Sequence, residues 1–315
     1  MKTKEQIEFQ KYRKTHGPLL NPRLDFVFKS LFTDGSVNSQ LALKGIISAA
    51  TGRTVTDATV VNTEPPALSK ADKRCSFDVS TVFNDGERAE IEMQGQNVQG
   101  AFADRITYLA ARLMVSNFHF GEDYSKLKYM YQISITDFNL TKGTEVLTRY
   151  RMYSPEKCVE LGNSRLNIIT LELPKVIPLL KQDVKTLSKP QMWCIFLKKA
   201  DDSKYQDLIK KICLREESIM AAQEKLKVVS MEEPEWLRQF HEDKARMDYI
   251  SSMNYAKRTG LERGIRKGIQ QGLKQAREQL SESKKQIARN LKQMGLTGEQ
   301  IAQATGLDLQ EVALL

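Results

Sequence analysis

The sequence predicts an α/β fold: a core of element order αβββαβ, a mixed sheet flanked by helices, then an all-helical C-terminal extension. Three observations carry this. Polar and apolar residues alternate from Phe77 to Phe83 and from Ala89 to Gln94, on either side of Asn84-Asp85-Gly86. That is the pattern of two strands, each with one apolar and one polar face, joined by a turn. Phe102, Ile106, Leu109 and Leu113 then recur every three to four residues, as on one face of a helix. Further on, Gly260, Gly264, Gly268 and Gly272 fall at every fourth position in a basic segment.

Taken in order, residues 1–20 read as a loose arm. Leu24 to about Ala50 reads as a helix or helix pair, with Phe26, Phe28, Leu31 and Phe32 supplying apolar contacts. Ala58 to Asn62 is β-branched and predicts the first strand, ended by Pro65-Pro66. The alternating hairpin gives strands two and three. Residues 101–119 form the next helix and carry Arg105 and Tyr108, set either to face phosphate or to pack. Tyr129 to Asp137, Glu145 to Met152 and Leu166 to Leu173 are further strands. Trp193, Ile195, Phe196 and Leu197 mark a buried helix that closes the domain, and residues 203–226 a charged helix over it. These bounds place a first domain over residues 1–230, a basic glycine-punctuated linker or oligomerisation segment over 231–284, and a tail over 285–315.

The hairpin turn sets its register. A two-residue loop at Asp85-Gly86 would oppose Asp78 to Met93 and mix the faces. A three-residue loop, with Gly86 in the left-handed conformation such loops need, pairs Phe83 with Glu87. Phe77 then meets Met93, Val79 meets Ile91 and Thr81 meets Ala89, while Asp78 meets Glu92 and Ser80 meets Glu90. A one-residue slip exchanges the faces, so the consistent register is preferred.

Opposed side chains have Cβ atoms roughly 4.5–5.5 Å apart, and like charges so placed are destabilising. A hard cation offsets the repulsion between Asp78 and Glu92. Mg²⁺ takes oxygen ligands at about 2.0–2.1 Å, usually one or two carboxylates plus waters and phosphate oxygens. The alternative is a solvated polar strand face with no ligand.

The order Asp78, turn, then Glu92-Met93-Gln94 resembles the PD-(D/E)XK nuclease superfamily, and more closely its transposase-associated branch, the recombination-promoting nucleases. LDFVFKSLF at 24–32, AFADRITYLAARLM at 101–114, YMYQISITDFNL at 129–140 and the glycine-punctuated tail from Gly260 are similar to that branch in order and kind. The resemblance implies a restriction-endonuclease-like core over residues 1–230 and a metal-dependent DNA endonuclease linked to recombination or mobile elements. It places Asp78 and Glu92 on the metal-binding positions, with Mg²⁺ as the expected ion and Mn²⁺ or Ca²⁺ as alternatives. Gln94 stands where the wider superfamily has a catalytic lysine; glutamine orients by hydrogen bonds but brings no charge. Lys29 on the first helix is a candidate source of that charge, and Asp25 falls on the acidic position of the same helix as a third carboxylate. A catalytically weak or inactive DNA-binding or assembly protein on the same fold is the alternative. A third is a structural interaction protein working through its glycine-stripe helix.

Composition sets bounds on these expectations. The chain has 315 residues, 41 % hydrophobic and 28 % charged, ordinary values for a globular protein. No run of about 18 apolar residues predicts a membrane span. The polar start, MKTKEQIEFQKYRKTH, lacks the apolar stretch of a signal peptide. Cys75, Cys158, Cys194 and Cys213 are scattered, and His16, His119 and His241 form no ligand cluster, so a zinc site is not expected. Reduced cysteines in a cytoplasmic protein are. Of the formal net charge of +9, residues 242–292 hold +7, from 13 Lys and Arg against 6 Asp and Glu. A basic appendage on a near-neutral domain suggests a polyanionic partner, DNA first, or else a solvated basic helix face.

Four glycines inside a helix each cost about 0.8–1 kcal/mol relative to alanine, which calls for a reason. Close approach of a partner helix is preferred over a soft linker, so the C-terminal helices are expected to form a homo-oligomer. Residues 285–315 read as a helix-turn-helix-like tail, with Gly295 and Gly306 at helix ends, Thr297 as an N-cap, and Ile301, Ala302 and Leu307 as a small apolar set. Its second helix, EQIAQAT, has no Arg or Lys to read bases, so a packing cap stands beside sequence-specific binding.

Overall fold

The structure is a computed structural model and describes residues 3–61, 78–97, 101–116, 121–161 and 164–315. The chain divides into two compact units, Met1–His241 and Glu242–Leu315. Phe77 and its pairing with Met93, Pro65-Pro66, Cys75 and His119 lie outside the described residues.

The first correction comes at the start. In place of a loose arm there is a helix, α1 (Lys4–Thr15). Thr3 accepts a hydrogen bond from the Gln6 N–H and the Gln6 side chain accepts one from the Thr3 N–H, a capping box that meets two otherwise orphaned donors. Phe9 and Tyr12 pack against the main core, and the Arg13 guanidinium lies 3.6 Å above the ring of Trp236.

The expected helix pair is α2 (Asp25–Thr33) and α3 (Val37–Thr51). Phe26, Val27, Phe28, Leu31 and Phe32 of α2 are buried. The helix α3 opens on a Ser36 cap and stops at Gly52, whose φ of 76° favours glycine. The domain closes with α5 (Lys189–Lys199), buried from Met192 to Leu197. The single charged helix expected over 203–226 is two, α6 (Gln206–Arg215) and α7 (Glu217–Val229), separated by an extended Glu216. A Cβ at Gly45 of α3 would overlap Ser218 of α7, so this glycine is what lets the two helices pack so closely.

A six-stranded mixed sheet runs through the unit in the order β1-β2-β3-β4-β8-β5. Its strands are β1 (Ala58–Val60), β2 (Val79–Phe83), β3 (Glu87–Gln94), β4 (Met130–Thr136), β5 (Leu147–Tyr150) and β8 (Leu166–Glu172). The short pair β6 (Tyr153–Ser154) and β7 (Val159–Glu160) forms a separate ribbon. Strands β3, β4 and β8 are mutually parallel and the other pairs of the sheet antiparallel. The helix α4 (Phe102–Val115) links β3 to β4. From α3 to β4 the order is thus αβββαβ.

The hairpin has the expected register: Val79 opposite Ile91, Ser80 opposite Glu90, Thr81 opposite Ala89 and Phe83 opposite Glu87. Gly86 takes φ 79°, and Asn84 is left-handed too, at 48°. The register runs on across the sheet and gives its faces opposite characters. Val79, Ile91, Ile133 and Ile169 line up on one face and join the main core with α3. On the other face Ser80, Glu90 and Gln132 form one row, and Glu92, Ser134 and Thr170 the next. All six are buried, and α4 packs over β4 and β8 on this side. The polar face is therefore not solvated.

In the second unit, α8 (Glu233–Gln293), which begins in the first, continues unbroken through the four glycines. Nothing lies within 4 Å of a Cβ built at any of them, and Leu261, Ile265, Ile269 and Leu273 are more than half exposed. Gly295 ends the following turn in a left-handed conformation. Thr297 caps α9 (Gly298–Thr305) in a capping box with Gln300, and Gly306 ends it. With α10 (Leu309–Ala313), these elements bury Ala288, Ile301, Leu307 and Val312 together. Among the described residues no helix is long and apolar enough to cross a membrane.

Candidate active site

The hairpin, α2 and α4 bring Asp25, Lys29, Asp78, Glu92 and Arg105 together. Asp78 immediately precedes β2, and its Oδ2 accepts a hydrogen bond of 2.7 Å from the Met93 N–H. That bond ties it to β3 beside Glu92, as the register requires. Lys29, one turn along α2 from Asp25, places Nζ 2.7 Å from Asp25 Oδ1 and 3.7 Å from Asp78 Oδ1. From α4, Arg105 donates through Nη2 to Glu92 Oε1. Gln94 shares the face, two residues beyond Glu92, opposite Thr136 of β4. Its amide donates to the Gln96 carbonyl at 3.1 Å.

Burial sets the electrostatics. Burial followed by the charge of Asp78 pushes the Glu92 carboxyl up to about 7, against the opposing pull of Arg105 and Lys29. Asp78 also rises above its ordinary range, through burial and the charge of Asp25, which outweigh the Met93 N–H and Lys29. Burial opposes the charge on Lys29, yet its hydrogen bond to Asp25 and the charges of Asp25 and Asp78 raise its pKa overall. Glu90, one row along, is pushed up to about 8 by burial, although Ser80 donates to its Oε1 at 2.6 Å.

The neighbouring Glu172 shows what a fully met buried carboxylate looks like here. It accepts from the Leu140 and Thr141 N–H groups, the Thr141 hydroxyl and Lys175, and lies below its ordinary range despite burial. Glu92 Oε2 and Glu90 Oε2 have no such partners. Neither do Gln132 Oε1 and Nε2, Ser134 Oγ and Thr170 Oγ1 among the described residues. Unmet buried polar atoms cost free energy, and here they gather on one sheet face beside Asp78.

This donor set suits a hard divalent ion. Asp78 Oδ1, just before β2, and Glu92 Oε2, on β3, are carboxylate oxygens held side by side by the hairpin. Each residue's other oxygen is fixed by Met93 or Arg105, and both groups lack enough positive charge to ionise at their usual pH. Among the described residues no group of three or more His, Cys, Asp and Glu is arranged as a metal cage. Two carboxylates completed by water and phosphate oxygens is the manner in which Mg²⁺ is usually held.

A family model for PD-(D/E)XK nuclease family transposases matches residues 22–256. The chain belongs to this family. The match takes in every element from α2 to α7 and the start of α8, to residue 256, and hence all the residues of the site. Comparisons with curated proteins and with solved structures returned no match. Membership of a PD-(D/E)XK family agrees with the six-stranded mixed sheet and its flanking helices, and it ties the chain to nucleases related to mobile elements.

The sequence reading did not single out Glu90, Gln132, Ser134 and Thr170. A signal for two of them, Gln132 and Ser134, was present. Gln132, Ser134 and Thr136 alternate with Tyr131, Ile133 and Ile135, the same period that exposed the polar face of the hairpin.

Proposed function

We propose that the chain is a metal-dependent DNA endonuclease that hydrolyses phosphodiester bonds in recombination or in the movement of genetic elements. The proposal rests on the pairing of Asp78 with Glu92: a part-buried carboxylate just before β2 beside a buried one on β3, with Asp78 Oδ2 fixed by the Met93 N–H, Glu92 Oε1 by Arg105, and Glu92 Oε2 without a partner among the described residues. Asp78 Oδ1 and Glu92 Oε2 would hold Mg²⁺. When bound there, the ion lowers the pKa of a coordinated water and neutralises charge on the phosphate.

The chain's own residues supply the rest. Gln94 orients the attacking water by hydrogen bonding, as its amide has no charge to offer. Lys29 brings the positive charge that the lysine of the wider superfamily would bring, and Asp25 holds Lys29 beside Asp78. Arg105 is half exposed at the rim and is placed to meet a phosphate as well as Glu92. The basic helix α8 carries DNA by its backbone, without reading sequence.

Plasmid cleavage with added Mg²⁺ tests this, comparing wild type, Asp78→Ala and Glu92→Ala, with EDTA as control. Nicking or linearisation by wild type, lost in both variants and with EDTA, is the expected result. One observation favours a second reading, a DNA-binding protein on an inactive nuclease fold: Gln94 replaces lysine and turns its amide toward Gln96. Equal inertness of all three proteins, each still shifting DNA in a gel, would decide for it.

A further inference from the structure

On the sheet face away from the carboxylates lies a cavity of about 280 Å³. It is formed by the end of α3 and by β4, β5, β7 and β8, among them Arg53, Tyr129, Tyr131, Arg149, Arg151 and Asn167. Its size is at the small end for ligand pockets. Its charge is unusual. Arg53, Arg149 and Arg151 line it, and Arg165 stacks 4.5 Å over Tyr129 at its edge; among the described residues Glu160 is the carboxylate that lines it, and Glu87 pairs with Arg53 beside it.

The arginines are unequally served. Arg53 pairs with Glu87 at 2.5 Å and Arg151 with Glu160 at 3.1 Å. Arg149 donates to the Ala50 carbonyl at 2.9 Å and has no carboxylate partner among the described residues. Burial and the neighbouring charge of Arg151 both work against its guanidinium. Capping α3 explains one N–H of Arg149 and leaves the rest of the fork unused. A concave site with surplus guanidinium groups is built for an anion with several acceptor oxygens, and the planar fork matches phosphate. Beside the arginines, Tyr129 and Tyr131 stack on each other at 6.5 Å, a face on which a base can lie.

We propose that this cavity binds a phosphomonoester carrying a nucleobase: a nucleoside monophosphate, free or as the 5′ end of a DNA strand. Arg149 and Arg151 take the phosphate, and the base lies on the Tyr129 ring in place of the loosely placed Arg53 guanidinium, 5.6 Å from the ring centre, with Arg165 remaining at 4.5 Å. The site is separate from the carboxylates and needs no metal.

Calorimetric titration of the full-length chain in EDTA tests it, with dAMP, inorganic phosphate, and an octanucleotide with either a 5′-phosphate or a 5′-hydroxyl. The expected result is saturable dAMP binding in competition with inorganic phosphate. Arg151→Ala and Arg149→Met should each weaken it about tenfold, the effect of one charge-assisted hydrogen bond. Arg151 lies at an exposed edge, so its variant should keep the wild-type melting temperature and separates loss of the site from loss of the fold. Competition by the 5′-phosphorylated octanucleotide alone identifies a strand end as the source; competition by neither identifies the free nucleotide. Absence of saturable dAMP binding, or affinity unchanged in both variants, overturns the proposal.

Discussion

The Arg105 guanidinium on α4 is bonded to Oε1 of Glu92 on β3, and this is the charged contact through which the helix covers the acidic row. It neutralises one side of a buried carboxylate whose other oxygen has no partner among the described residues. Through this side chain the helix and the site are coupled.

Removing that side chain tests the coupling. In Arg105→Ala, Glu92 keeps its burial and loses its nearest positive charge. In metal-free buffer at pH 8 the variant should be less stable by about 1 kcal/mol, a small value because Arg105 is half exposed. Added Mg²⁺ should raise its melting temperature more than that of wild type, because the ion then meets an uncompensated charge. Thermal unfolding with and without Mg²⁺ measures both effects.

Gln94→Lys restores the residue of the wider superfamily. If charge limits the rate, single-turnover cleavage should rise about tenfold or more, the scale of one added electrostatic contact to a developing transition state. A fall would mean that Lys29 already serves and that a second cation crowds it.

The pH dependence of stability follows from Glu90. Its folded pKa is raised to about 8 by burial, above the ordinary value of 4.5. Between these two values the folded state binds more protons than the unfolded state, so stability falls as pH rises through that window. Each pH unit is worth up to about 1.4 kcal/mol per group. Urea unfolding in EDTA at pH 5, 6, 7 and 8 should show this decline, and Glu90→Gln should make it shallower while the share of Glu92, raised to about 7, remains.

Two glycine-to-alanine changes should have opposite signs. At Gly45 a Cβ would meet Ser218 and approach Trp193 Cζ2 to 3.3 Å, so α3 and α7 must move apart. A loss of about 1–3 kcal/mol is expected. At Gly268 a Cβ meets nothing within 4 Å, and helix propensity alone should add about 0.8–1 kcal/mol to α8. Melting temperature for the first change, and helicity by circular dichroism for the second, check the pair.

What the sequence made legible was local. The opposition of Asp78 and Glu92 follows from alternation and a three-residue loop closed by Gly86, all within 17 residues. Alternation shows that Glu90 and Glu92 share a face but says nothing of what covers it. The covering helix and its Arg105 contact depend on how α4 crosses the sheet. The approach of Lys29 to Asp78 likewise spans 49 positions of sequence and no short pattern encodes it. The arginine cavity draws its lining from α3, β4, β5, β7 and β8, so no single window of sequence contains it. α1 went unread for another reason. Ile7, Phe9 and Tyr12 are its only residues with apolar bodies and none is fully buried, and the clearer signal lay in the reciprocal bonds of Thr3 and Gln6.

Among the described residues the sheet ends on short strands at both sides. Its outermost strands, β1 and β5, are three and four residues long, and β5 finishes on Arg149 and Tyr150. Unpaired strand borders are where foreign backbones add on, and natural proteins blunt them with short strands and charged side chains. Among the described residues both borders are short and β5 also carries Arg149, so this sheet is poorly suited to recruiting a neighbouring chain by strand addition. Resistance to fibrous aggregation is thus built into the same sheet that presents the paired acids.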